Sequence, residues 1–161
     1  MSNTSKGQYA QEELYNAQEE LYNAIKCNDK ETIMDICLSH PDLIDCPYDF
    51  EEFDEQDYVR DYYCELLPIY HAWAIAYDNE LPNPLEIVHI LLPFVDILKL
   101  NNQGQNILHV AAFTNELDIF KYGIRNNADV YEKDNNDKTP LDYANEFNHT
   151  SICEYINKKN R

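Results

Sequence analysis

The residues with the richest chemistry lie in one stretch, Tyr48, Asp49, Phe50, Glu51, Glu52, Phe53, Asp54, Glu55, Asp57, Tyr58, Asp61 and Tyr62, followed closely by Trp73. Seven carboxylates in so short a run can hold a hard cation, steer a basic surface, or simply stay in water. A calcium loop needs a fixed glycine and a fixed ligand spacing, and neither is present here. Between residues 48 and 65 the acids alternate with six aromatic rings, which solvation alone does not call for. Rings supply desolvated anchors at interfaces, while carboxylates set encounter rate and orientation. Two readings stay open: an acidic loop whose rings fold back on the body, and a contact surface for a cationic partner.

Other chemistry finds little footing. The chain has only 3 glycines, so no phosphate-cradling loop can be built, and no G-x-S-x-G or H-E-x-x-H occurs. His71, His89 and His109 fall on predicted helices, and no spacing selects a Cys/His nucleophile pair. The 5 cysteines include no C-x-x-C and no zinc-like cluster, so they are expected to be free thiols. We read the chain as a non-enzyme without cofactor or metal.

With 161 residues, 44% of them hydrophobic, the chain is expected to form one domain with a real core. A net charge of −18 argues against direct nucleic-acid binding and anionic membranes, and favours a basic protein partner or simply solubility. No apolar run reaches membrane-spanning length, and residues 1–20 are too polar for a secretory signal. The expectation is a cytoplasmic chain, or one in a host-cell cytosol if exported as an effector, that is monomeric when free.

The elements that position these residues show themselves through a period. Leu108 and Leu141, Ala111 and Ala144, Asn115 and Asn148, and Ile119 and Ile152 are each 33 residues apart. A fixed period of this size marks a stacked repeat, in which one unit cannot bury its apolar face alone. Thr139-Pro140 reads as a helix start, with Asn106 as the equivalent cap. Asn115 and Asn148 sit where the helix must stop, since Asn tolerates the left-handed conformation. Asn106-Ile107-Leu108-His109-Val110-Ala111-Ala112 and Thr139-Pro140-Leu141-Asp142-Tyr143-Ala144 resemble the T-P-L-H-x-A-A motif of ankyrin repeats. That resemblance implies an all-α solenoid of about four helix pairs, with the projecting loops and inner helices as its usual binding side. It also implies that His109 supports a turn and is not a base.

The template extends upstream more loosely. Leu21, Ala24, Asn28, Ile33 and Asp42-Leu43 keep the intervals of Leu108, Ala111, Asn115, Phe120 and Asp129-Val130. Pro68-Ile69 with Ala72, then Ile87-Val88-His89-Ile90-Leu91-Leu92, gives another unit. The expected repeats are about 18–46, 66–100, 101–133 and 134–161, preceded by a helical extension over 1–17. Gln-Glu-Glu-Leu-Tyr-Asn-Ala occurs at 11–17 and again, unchanged, at 18–24, and only the second copy fits the template. Trp73 stands where the second small alanine belongs, so its helix must stand farther off or expose the indole. Gly123 falls at an apolar helix position, where it lowers helix propensity by ~1 kcal/mol and suggests a softer end. Leu108 and Leu141 are both expected in the core.

The largest departure is an insertion over residues 48–65, between repeats one and two. Residues 41–66 hold ten acids and one arginine, half of the total −18. The function expected is non-catalytic protein–protein interaction, as an intracellular adaptor or effector. The alternative is a stoichiometric inhibitor, such as an antitoxin, immunity protein or nucleic-acid mimic, masking a basic active site.

Overall fold

The computed structural model describes residues 3–47, 67–78 and 85–159. Its regular elements are helices α1 (Asn3–Cys27), α2 (Lys30–Ser39), α3 (Pro68–Asp78), α4 (Glu86–Leu91), α5 (Ile107–Thr114), α6 (Leu117–Arg125), α7 (Pro140–Glu146) and α8 (Thr150–Lys159), with a 3-10 turn at Pro41–Asp45. No strand occurs among the described residues, and the all-α class holds. The chain divides into two compact units, Met1–Val95 and Asp96–Arg161. The insertion 48–65, including Cys64, lies outside the described residues. Cys27, Cys37, Cys46 and Cys153 are free thiols.

In the first unit α1 packs on α2 and α3, and α4 packs on both of these. The duplicated heptad shows how position overrides sequence: Leu21 is 0% exposed, while its counterpart Leu14 is 44% exposed. Tyr22, Ala24 and Ile25 are buried with Leu21. From Glu12 onward the first buried residues of α1 are Ala17 and Gln18, and the Gln18 side-chain amide donates to the Pro47 carbonyl at 3.3 Å.

Three helices end in the same way. Asn28, Asn115 and Asn148 take left-handed φ values of 58°, 63° and 59°. The amide after each returns to the carbonyl of an alanine: Asp29 to Ala24, Glu116 to Ala111 and His149 to Ala144, all at 2.8 Å. Asn carries this conformation at small cost and satisfies carbonyls that the helix end would orphan. The first helix pair therefore closes with the same turn as the last two, where the motif resemblance was weakest.

In the second unit α5 packs against α6 and α7, and α8 packs against α6 and α7. Ala111 and Ala144 are fully buried, so the helices approach closely at these small side chains. α5 and α7 run in the same direction. Near their starts His109 Nε2–H donates to the Lys138 carbonyl at 3.1 Å, and near their ends His149 Nδ1–H donates to the Ala112 carbonyl at 2.8 Å. Leu108 is buried as expected, but Leu141 is only half-buried, which corrects the expectation of a core position there.

Gly123 is not a soft point. It is buried, and a Cβ there would come within 2.6 Å of Leu108 Cδ2 and 3.0 Å of Ile107 Cγ2. The glycine lets α6 lie directly on α5. Gly123→Ala should gain ~1 kcal/mol of helix propensity and lose ~1–3 kcal/mol to overpacking. Net destabilisation in a urea titration is the expected result, and a stabilised variant would contradict the close approach.

Candidate functional site

The projecting loops of the second unit are built twice to one plan. Asp96 Oδ1 accepts the Leu98 amide at 3.0 Å, and Asp129 Oδ1, 33 residues on, accepts the Tyr131 amide at 2.8 Å. Asn101 Oδ1 then accepts the amides of Gln103 and Gln105, both at 2.9 Å. Asp134 Oδ1 does the same for Asn136 at 2.8 Å and Lys138 at 3.0 Å. The left-handed place in each turn goes to Gly104 (φ 72°) and Asp137 (φ 61°). The turns are joined by Asn135, whose amide donates to Gln103 O at 3.0 Å and whose side chain donates to Asn102 O at 3.2 Å. Gly104 meets two needs at once, since a Cβ there would also lie 2.5 Å from Asn135 Oδ1.

Beneath the second turn lies a buried polar network. The Tyr143 hydroxyl donates to Asp134 at 2.6 Å, and the Gln105 side-chain amide reaches Asp134 at 3.4 Å and Tyr143 at 3.0 Å. Burial pushes the Asp134 carboxyl up, but these hydrogen bonds and those from the Lys138 and Asn136 amides outweigh it and hold the group down at about 2. A loop fixed in this way pays little ordering entropy when it meets a partner.

His109 is committed to structure. The Asn106 amide donates to its Nδ1 at 3.2 Å while Nε2 serves the Lys138 carbonyl, and burial lowers its pKa despite that bond and the nearby Asp134 and Glu132. The corresponding Asp142 accepts from the Thr139 amide at 2.8 Å and hydroxyl at 2.7 Å, closing a capping box.

On this frame several large side chains stay open. Tyr131 is 63% and Leu98 54% exposed, with Leu100 and Phe147 also exposed. Phe113 meets Tyr143 and Phe147 edge-on at centroid distances of 6.3 and 4.9 Å, and Phe147 stacks on His149 at 6.0 Å. Glu146, paired with Lys138 at 2.6 Å, and the exposed Asp142 lie on α7 with them. Such an assembly can bury apolar area against another protein; it carries no nucleophile–base pair.

Of the residues expected to touch a partner, Tyr48, Asp49, Phe50, Glu51, Glu52, Phe53, Asp54, Glu55, Asp57, Tyr58, Asp61 and Tyr62 lie outside the described residues. Trp73 is described and is only 2% exposed, its Nε1–H finding no acceptor among the described residues. An indole that deep offers a partner no area, so Trp73 is a packing residue. Leu98 and Leu100 were not foreseen as surface anchors. The signal for Leu98 was present in the 33-residue step that pairs Asp96 with Asp129 and Leu98 with Tyr131.

The sequence model for ankyrin repeats (3 copies) matches residues 73–160. No curated protein matches the chain in sequence. The matched span exceeds half of the chain and takes in the capping boxes, the left-handed Asn115 and Asn148, and the paired loops. The chain belongs to the ankyrin-repeat family, whose repeats generally mediate protein–protein interaction.

Proposed function

We propose that this protein is a non-catalytic binding module that recruits a basic protein partner, acting as an intracellular adaptor or effector. One observation carries the reading: residues 41–66 concentrate half of the −18 charge, and within them six aromatic rings alternate with the acids. In this reading the contact residues are Tyr48 through Tyr62 of the insertion. The carboxylates steer the encounter, and the rings provide the anchors that exposed ion pairs, worth ~0–1 kcal/mol each, do not. The family membership supports the protein class of partner. The ordered loops that present Leu98 and Tyr131 supply a second, apolar contact region. The module works without cofactor, is monomeric before binding, and makes no direct contact with nucleic acid.

The same concentration of charge favours one other reading, a stoichiometric inhibitor that covers a basic active site. Affinity capture from the source lysate over a salt series separates them. The proposal expects basic proteins that elute as ionic strength rises, with association rates that fall steeply with salt. A single basic enzyme whose turnover stops at a 1:1 ratio selects the inhibitor. Partners that are acidic, or that associate at a salt-independent rate, overturn both.

A further inference from the structure

Residues 11–17 and 18–24 are the same seven residues in tandem, and α1 (Asn3–Cys27) carries both copies as continuous helix. Seven residues come within about 20° of two full turns, so a shift by one copy keeps the apolar stripe facing the same way while moving it roughly 10 Å along the axis. From Glu12 onward, where burial is described, the second copy supplies the buried face of α1: Gln18, Leu21, Tyr22 and Ala24, flanked by Ala17 and Ile25. In the first copy Leu14 is exposed and Tyr15 half-buried. A slide of seven residues would put Leu14 in place of Leu21, Tyr15 in place of Tyr22 and Ala17 in place of Ala24. Gln11 and Ala10 would follow into the places of Gln18 and Ala17, again like for like. Among these described buried positions the one that changes identity is Ile25, which would become Gln18.

We propose that α1 is a two-register helix whose first copy is a working spare. The observed register is set by Ile25 and by the left-handed turn at Asn28. In the other register, residues 11–17 dock against α2 and α3, and residues 21–29 leave the helix as a loop running to Lys30. Closing a loop of that length costs little more than closing the present turn, because the entropy grows only with the logarithm of length. The spare needs no separate folding, since its backbone is already helical.

The test uses the full chain and hydrogen–deuterium exchange. Gln18→Ile combined with Ile25→Gln moves the one distinguishing residue, so that the slipped register restores every buried residue of the parent helix. The expected result is a folded protein in which amides 11–17 gain protection and amides 21–28 lose it. Protection that stays on 21–28, or a variant that does not fold, overturns the proposal. Thermal melts give an independent reading. Leu14→Asp alone should leave the melting temperature nearly unchanged, Leu21→Asp alone should still give a cooperative melt, and the two together should abolish it. A Leu21→Asp protein that is unfolded by itself, or two effects that simply add, would also overturn it.

Discussion

Leu108→Ala is expected to destabilise the second unit by roughly 2–5 kcal/mol, and Leu141→Ala by clearly less. Both occupy the same place in the 33-residue period. Leu108 is fully buried in α5, against Gly123 of α6 and beside α7. Deleting its methyl groups leaves a cavity that α5, held between α6 and α7, cannot readily close. Leu141 is half-buried in α7, and solvent already reaches part of its surface. The free energy lost follows the apolar area removed and the void left behind, and both are smaller at Leu141. Urea midpoints of the two variants measure this directly. Equal losses would mean that Leu141 is covered after all.

The second large effect is on pH. Stability should fall between pH 7.5 and 5.5, with His71 contributing a slope approaching ~1.4 kcal/mol per pH unit below its unfolded pKa of ~6.5 and His109 adding a loss of the same sign. His71 is fully buried and stacked on Tyr22 at 4.6 Å. Burial, with help from the Lys26 charge, lowers its pKa to about 3. Burial lowers that of His109 as well. Both folded values lie below the unfolded one, so acid protonates the unfolded chain first. The stability they confer is therefore present above pH ~6.5 and is lost as pH falls, down to about 3 for His71. Asp134 adds a lower step of the same sign, present above its unfolded value near 3.9 and lost on the way to about 2. Staying above pH 5.5 keeps most carboxylates ionised, so relief of their mutual repulsion does not mask the effect. His71→Phe, which keeps a ring against Tyr22, should flatten the slope of the first unit. Identical urea midpoints at pH 7.5 and 5.5 would contradict the assignment of neutral, buried imidazoles.

Much of the fold could be read from the sequence because its determinants are local. Thr139-Pro140, Asn106 and the three asparagines act through backbone conformation and capping within a few residues, and these leave a periodic trace. What could not be read depends on how near one helix comes to another. Gly123 looked like a helix weakener because propensity belongs to its own helix, whereas its value lies in the approach of Leu108. Trp73 looked too large for its place, yet it is buried. Leu141 looked equivalent to Leu108 because a period compares residue types and says nothing of how deeply each is packed. Leu98 gained meaning once Asp96 and Asp129 were seen to make the same turn, which puts an apolar residue outward in each.

The proposed contact surface is tested most directly by replacing residues 49–63 with a short Gly/Ser loop and measuring association and dissociation rates with a captured basic partner. A melt by circular dichroism controls for the integrity of the helices. The proposal expects binding to be lost. Neutralising Glu51, Glu52, Asp54 and Glu55 should mainly slow association and flatten its salt dependence, whereas Phe50→Ala, Phe53→Ala and Tyr58→Ala should mainly speed dissociation. Undiminished affinity in the loop replacement would contradict the proposal and move the site to the open rings of the second unit, around Phe113 and Tyr131.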